Sequence, residues 1–287
     1  MDNTLINMNN ELKNILMASD KEENNIPIIS TDKVIGLAEK YHLSLREVEI
    51  AALQQNILPA RYERNYDSIS FSEQIRLLNS TVAVVGCGGL GGYIIEMLAR
   101  LGIGNLIVID GDIFNESNLN RQLLCTKNVI GEGKAETAAA RIKHINSSIS
   151  TKAYSQFINS ENIAQFIQET GIVVDALDNI PSRFDLQQSC FRLKIPLIHG
   201  AINHFNGQVC TILPGDKGLK SIYGSLENYS EINKNRKISV PSFSPAMVAS
   251  FQVAEVTKVL LKRGTLLRNK LLLINLETMD VNILKME

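Results

Sequence analysis

Two cations and two carboxylates, Arg121, Lys134, Asp110 and Asp178, are the side chains whose types and settings suit phosphate chemistry. Arg121 lies in the polar run Asn118-Leu119-Asn120-Arg121-Gln122, and Lys134 opens a helix-like segment behind Gly131 and Gly133. A lysine in the first turn of a helix works against the macrodipole. A bound anion such as a triphosphate offsets that conflict; a solvated lysine is the plain alternative. Asp178 follows an apolar strand-like run and is a hard-oxygen ligand of the kind Mg²⁺ takes, or else the N-cap of a helix that begins near Pro181. Cleaving a triphosphate moves negative charge onto the leaving pyrophosphate, which fixed Arg and Lys groups and a metal stabilise. An NAD enzyme holds its diphosphate with backbone amides and has no need of these cations.

Such side chains need a frame, and the frame begins at Thr81-Val82-Ala83-Val84-Val85-Gly86-Cys87-Gly88-Gly89-Leu90-Gly91-Gly92. It reads as a buried strand, a glycine-rich turn and a helix carrying Ile94, Ile95, Leu98 and Leu101. A second strand, Asn105 to Ile109, ends on Asp110. This is the length and order of a βαβ nucleotide-binding unit. Gly86 permits the tight turn, Gly88 lets backbone approach a phosphate, and Gly91 lets the helix pack close to the strand. Asp110 stands where it accepts hydrogen bonds from a ribose hydroxyl. The turn taken alone leaves NAD and ATP both open.

Downstream, the pattern predicts a helix from Lys134 to Ile145 and a strand near Lys152 to Tyr154. A helix near Ile163 to Gln168, the strand Gly171 to Ala176, a helix near Arg183 to Leu193 and the strand Pro196 to Gly200 come next. This alternation predicts a Rossmann-like, doubly wound, mostly parallel sheet, with ligands beyond the carboxyl ends of its strands. Four segments meet at that edge: the glycine turn, Asp110-Gly111-Asp112, the polar loop with its helix start, and Asp178-Asn179. Gln208 to Leu213 reads as a further strand and Gly215 to Ser242 as a long polar crossover loop. A helix, Ala246 to Leu261, and two strands, Lys270 to Ile274 and Val281 to Leu284, close the chain. Residues 1 to about 26 read as frayed or weakly helical. Thr31-Asp32 caps a helix through Val34, Ile35, Leu37 and Ala38, and Ser44 caps another from Leu45 to Gln55. The division expected is an N-terminal helical extension, 1–60, and an ATP-binding domain, 61–287.

The balance of 45% hydrophobic and 21% charged residues over 287 residues, with net charge -1, is that of a soluble globular chain. Near-neutral charge argues against nucleic acid and anionic membranes as partners. No apolar run has the length of a membrane span and the polar N-terminus lacks signal-peptide features, so a cytoplasmic location is expected. Cys87, Cys125, Cys190 and Cys210 form no C-x-x-C pair and read as buried packing residues. His199 and His204 read as structural or peripheral, and Arg61-Tyr62-Glu63-Arg64-Asn65 as a solvated basic cluster.

The ordered set Arg-Tyr-x-Arg-Asn, GCGGLGG, Ile109-Asp110-Gly111-Asp112, Ser117 to Gln122, Gly133-Lys134-Ala135 and Asp175 to Asn179 resembles the ThiF/MoeB/HesA family, the bacterial relatives of ubiquitin-activating enzymes. The resemblance covers Arg61 to the C-terminus. It implies a homodimer that uses ATP and Mg²⁺ to adenylate the C-terminal glycine of a small ubiquitin-like sulfur carrier ending in Gly-Gly, as in thiamine or molybdenum and tungsten cofactor synthesis. By that resemblance Gly86, Gly88, Gly89, Leu90 and Gly91 cradle the nucleotide and Asp110 binds the ribose. Asn118, Arg121 and Lys134 contact the phosphates, with Asp112, Gln122 and Asn179 beside them, and Asp178 sits at the Mg²⁺-triphosphate. Arg64 becomes the arginine that reaches into the neighbouring active site, catalytic alongside Arg121, Lys134 and Asp178. Two departures stand out. The position of one family C-x-x-C pair reads Pro214 to Ser221 here and the second pair is missing, so zinc is not expected. No cysteine lies between Gly215 and Ser242, so the reaction is expected to stop at the acyl-adenylate. The same fold also serves adenylation of short peptides and dehydration of threonylcarbamoyladenosine in tRNA; an NAD oxidoreductase is the more distant alternative, and a non-catalytic scaffold another.

Overall fold

The computed structural model describes residues 7–13, 26–224 and 239–286. Residues 7–13 are helical (α1), and Met8 and Leu12 are fully buried. They pack with β1 (Ile28–Ile29), α2 (Thr31–Tyr41) and α3 (Leu45–Gln54), whose Val34, Leu37, Ala38, Val48, Ala51 and Ala52 form one apolar cluster. The remainder of the stretch expected to be frayed, 1–6 and 14–25, lies outside the described residues. Ser30, rather than the Thr31-Asp32 pair, is the N-cap of α2: its hydroxyl accepts from the Lys33 N–H, and Thr31 is already helical. Ser44 caps α3 as expected, in a reciprocal capping box with Glu47. Such boxes satisfy donors that the helix end leaves without partners.

β2 (Leu58–Pro59) pairs in parallel with β1, and a 3₁₀ turn (Ala60–Asn65) and α4 (Phe71–Leu78) lead into the main sheet. Glu49 of α3, which is buried, faces this turn: its carboxylate lies 3.1 Å from Arg61 Nε and 3.4 Å from the Tyr62 hydroxyl. The basic cluster is therefore only partly solvated. Arg61 is tied to Glu49 and to Asn146, while Arg64 is exposed.

The sheet has eight strands in the order β10-β9-β8-β7-β6-β3-β4-β5. They are β3 (Thr81–Val85), β4 (Asn105–Ile109), β5 (Ser150–Tyr154), β6 (Ile172–Asp175), β7 (Leu197–Asn203), β8 (Asn206–Ile212), β9 (Lys270–Asn275) and β10 (Asp280–Lys285). β3 to β7 are mutually parallel; β8, β9 and β10 add antiparallel pairs. The mostly parallel, doubly wound sheet with antiparallel C-terminal strands read from the sequence is thus the observed fold. α5 (Gly89–Leu101), α6 (Lys134–Ile145) and α10 (Phe243–Leu261) cover one face with a core that includes Val82, Val84, Leu98, Val108 and Val256. α7 (Ile163–Ile167) and α8 (Ile180–Leu193) cover the other over Ala83, Val85, Ile107, Val173 and Leu197. Strands buried on both faces explain the unbroken apolar runs in the sequence.

Within the predicted crossover loop, Lys220–Tyr223 is helical (α9), and residues 225–238 lie outside the described residues. No helix among the described residues is long and apolar enough to cross a membrane.

Candidate active site

The chain reverses direction across the sheet between β3 and β6, since β4 lies on one side of β3 and β6 on the other. Such a switch point opens a crevice beyond the strand ends. Here the crevice is a cavity of about 1090 Å³ lined by the glycine turn, Asp110 to Asp112, Arg121, Gln122, Lys134, and Ala176 to Arg183. Its floor depends on glycine. A Cβ on Gly86, whose φ is +98°, would lie 2.5 Å from the Ala176 carbonyl oxygen, and one on Gly91 would collide with the Gly86 carbonyl. Gly91 thus serves helix packing and leaves the cavity wall to Gly86, Gly88, Gly89 and Leu90. Gly88 is the N-cap of α5 and supplies no capping side chain. Helix-terminal N–H groups with no side-chain acceptor form a site for an anion.

Asp110 stands at the end of β4, with its Oδ2 accepting from Cys87 N–H (2.7 Å) and its Oδ1 from Asp112 N–H (2.9 Å). Burial pushes its carboxyl pKa up, against the pull of those two donors. The carboxylate therefore ties the glycine turn to β4 while lining the cavity, and each oxygen keeps a lone pair for a hydroxyl donor. Lys134 is not a solvated lysine. It is buried in the first turn of α6, with its Nζ 2.9 Å from Asp112 Oδ2. That carboxylate supplies the anion that offsets the dipole conflict, and it leaves Lys134 two further donors.

Arg121 is half-buried on the cavity wall, its Nη1 donating to the Ser117 carbonyl (3.1 Å) and the Asn120 side chain (2.9 Å). Asn118 does not line the cavity. Its Oδ1 accepts from the Asn115 N–H (3.0 Å), and it is buried beneath the turn that presents Arg121. Gln122 does reach the wall, with its amide against Gly88. Asn179, and not Asp178, caps α8: its Oδ1 accepts from Ser182 N–H at 2.9 Å. Asp178 is left exposed at the cavity, touched by the Asn179 amide at 3.3 Å. An exposed carboxylate on the cavity wall fits Mg²⁺, which keeps several waters and is usually bound by one or two carboxylates together with phosphate oxygens. Among the described residues no group of three or more His, Cys, Asp and Glu side chains could hold a metal by itself. Arg64 and His204 do not line this cavity.

One cluster was hidden from sequence reasoning. Asp175, Arg183 and His199 are buried together: Asp175 Oδ2 is 2.7 Å from His199 Nδ1 and 3.2 Å from Arg183 Nη1. Arg183 also donates to the carbonyls of Gly200 (2.7 Å) and Leu177. His199 Nε2 meets the Tyr223 hydroxyl (3.1 Å) and the Gln208 amide (3.2 Å). Burial alone would raise the Asp175 carboxyl, but the Arg183 charge and the His199 bond hold it below its ordinary value. Burial pushes the His199 imidazole down against the attraction of Asp175, so the ring is neutral. The cluster fastens the loop after β6 to β7. All four cysteines are buried, and burial raises the Cys87 thiol far out of the reactive range.

The model of the ThiF family matches residues 62–287. The chain belongs to the ThiF family. The SAMP-activating enzyme E1 of Haloferax volcanii is 35% identical over 214 residues, 74% of this chain and 79% of that protein. The sulfur carrier protein adenylyltransferase of Thermus thermophilus is 35% identical over 206 residues, 70% of this chain and 76% of that one. Among solved structures, E. coli MccB with MccA-N7isoAsn matches at a TM-score of 0.70 and 26% identity, covering 79% of this chain and 71% of that one. The family and these relatives make the chain an adenylyltransferase of the ubiquitin-activating type, and the NAD alternative falls away.

Proposed function

We propose that this ThiF-family enzyme adenylates the C-terminal glycine of a small ubiquitin-like sulfur carrier. ATP brings an α-phosphorus with pyrophosphate as its leaving group. One carboxylate oxygen of the carrier forms a bond to that phosphorus, and the α–β phosphoanhydride bond breaks with its electron pair going to pyrophosphate. No proton moves, because an α-carboxyl group has a pKa of about 3.5 and is already ionised at neutral pH. The site needs alignment and positive charge rather than a base. The observation that carries the reading is the convergence of Lys134, Arg121 and Asp178 on one cavity with an uncapped helix N-terminus, while no histidine among the described residues lines that cavity and His199 is buried in Asp175's cluster.

The glycine turn and the N-terminus of α5 would hold the phosphates, Asp110 the ribose, and Asp178 a Mg²⁺ ion. Lys134 and Arg121 would neutralise the charge that builds on pyrophosphate. Arg64 is exposed on its own protomer and outside its own cavity, which supports a role across a homodimer. A short peptide in place of the carrier is the second reading, favoured by the likeness to MccB solved with an MccA variant.

Exchange of labelled pyrophosphate into ATP tests the proposal. Exchange should require Mg²⁺ and a carrier ending in Gly-Gly, and it should be lost in Arg121→Ala. Exchange stimulated by short peptides and by no carrier favours the second reading; no exchange with either overturns both. Mixing inactive Arg64→Ala and Asp178→Ala proteins should restore part of the activity if the arginine acts in trans.

A further inference from the structure

The residues matched to the ThiF family begin at Tyr62, yet the turn that carries Arg64 is anchored from outside that match. The turn is the 3₁₀ helix Ala60–Asn65, and its N-cap, Pro59, makes no side-chain hydrogen bond to it. It is held instead by Arg61 and Tyr62. Arg61 Nε lies 3.1 Å from the Glu49 carboxylate, and Arg61 Nη1 donates to Asn146 Oδ1. The Tyr62 hydroxyl donates to Glu49 at 3.4 Å and accepts from the Asn146 amide at 3.0 Å. It is seated where a Cβ on Gly102 would come within 2.6 Å of it. Glu49 belongs to α3, which is itself fastened to the domain: Arg46 Nη1 donates to the Gly104 carbonyl (2.6 Å) and to the Asn105 side chain (2.7 Å).

This anchor stands at the far end of the domain from the chain's own cavity. Asn146 is the C-cap of α6 and Gly102 the C-cap of α5, whereas the cavity is lined by the opposite ends of those helices, at Lys134 and Gly89. The 12 residues of α6, about 18 Å, lie between. In a 3₁₀ helix, residues three apart stand one turn apart on the same side. The contact that seats Arg61 therefore also sets the root of Arg64. Removing one partner of a mostly buried ion pair leaves the other charge uncompensated. Arg61, at the rim, relieves that by turning out to water, and the turn moves with it.

We infer that Glu49 is a positioning residue that fixes the turn from which Arg64 enters the active site of a second copy of the chain. This inference rests on the reading of Arg64 as an arginine acting across a homodimer. It gives the N-terminal extension a part in the reaction: α3 braces one protomer's arginine for its partner's cavity.

Pyrophosphate exchange in co-purified mixed dimers tests it. Glu49→Gln keeps the volume and removes the charge, and its homodimer should exchange roughly tenfold to a hundredfold more slowly than the wild type. A dimer of one Glu49→Gln chain and one Asp178→Ala chain should recover to about half the wild-type rate, because one of its two sites joins an intact cavity to a well-seated arginine. A dimer of Glu49→Gln with Arg64→Ala should recover nothing above the Glu49→Gln homodimer. The opposite pattern, recovery with Arg64→Ala and none with Asp178→Ala, assigns Glu49 to its own cavity and overturns the inference. Recovery with neither partner marks a general loss of structure and overturns it too, as does wild-type exchange in both Glu49→Gln and Glu49→Ala homodimers. Arg61→Gln breaks the same pair from its more exposed side. It should reproduce each result, which keeps the test decisive where a Glu49 variant fails to fold. An Arg64→Ala homodimer as active as the wild type overturns the cross-dimer reading of Arg64, and this inference falls with it.

Discussion

Two ionic clusters stand at neighbouring strand ends and have opposite characters. After β4, Lys134 is buried but its partner Asp112 is more than half exposed, and the pair opens on the cavity. After β6, Asp175, Arg183 and His199 are almost wholly removed from solvent, and their hydrogen bonds run mostly to one another, to backbone carbonyls and to Tyr223 and Gln208. The first has charge and donors left over for a ligand; the second has spent nearly all of its bonding on the fold, with only Arg183 Nε lacking a partner. Charge alone therefore does not mark the reactive centre. Incomplete pairing at a solvent-reachable wall is what sets the proposed reactive centre apart.

Mutations should separate the two clusters cleanly. The largest effect is on folding. Arg183→Ala leaves the Asp175 carboxylate buried without its cation, which should cost about 3–5 kcal/mol, read as a lower midpoint in urea unfolding. Lys134→Ala should do the reverse. Pyrophosphate exchange should fall roughly a hundredfold to a thousandfold, with little change in the urea midpoint, because Asp112 can turn to water. If Lys134→Ala unfolds the protein and Arg183→Ala merely slows it, the assignment of the two clusters is inverted. Asp178→Asn should follow with a smaller loss of exchange, roughly tenfold to a hundredfold. Part of that loss should return at raised Mg²⁺, and the melting temperature should stay unchanged.

The pH dependence gives a finer test. The pKa of His199 is lower folded than unfolded, so below about pH 6.5 the unfolded chain takes up a proton that the folded chain refuses. Stability should thus fall as pH drops from 7 toward 5. Asp175, also lowered, adds a second loss once pH falls below the ordinary carboxylate range, about 4. Urea midpoints across this range should slope downward in the wild type, and the upper part of the slope should vanish in His199→Asn. The smallest effect concerns the N-terminal unit. Ser44→Ala removes one side of a capping box and should cost about 1 kcal/mol, without altering exchange.

The sequence made the nucleotide end legible because its information is local. Thr81 to Gly92 encodes strand, turn and helix in consecutive residues, and the steric demand on Gly91 comes from Gly86 inside that unit, although the atoms that confine Gly86 belong to Ala176, far along the chain. Lys134 was visible as a lysine at odds with its helix dipole. Its answer, Asp112, is 22 residues away and emerges only when the loop folds back. The Asp175 cluster joins three elements through contacts 8 to 24 residues apart, and no spacing rule announces such a meeting. Asn118 shows the same limit: a polar residue in that loop reads alike whether it lines the cavity or, as here, holds the turn through the Asn115 N–H.

The most direct measurement of the central claim is the intact mass of a carrier protein incubated with enzyme, ATP and Mg²⁺, with pyrophosphate removed as it forms. A carrier ending in Gly-Gly should gain the mass of one AMP at its C-terminal glycine, and should gain nothing with the Lys134→Ala enzyme or when its last glycine is deleted. Carrier that stays unmodified while the enzyme binds ATP normally, across carriers and short peptides alike, would contradict the account.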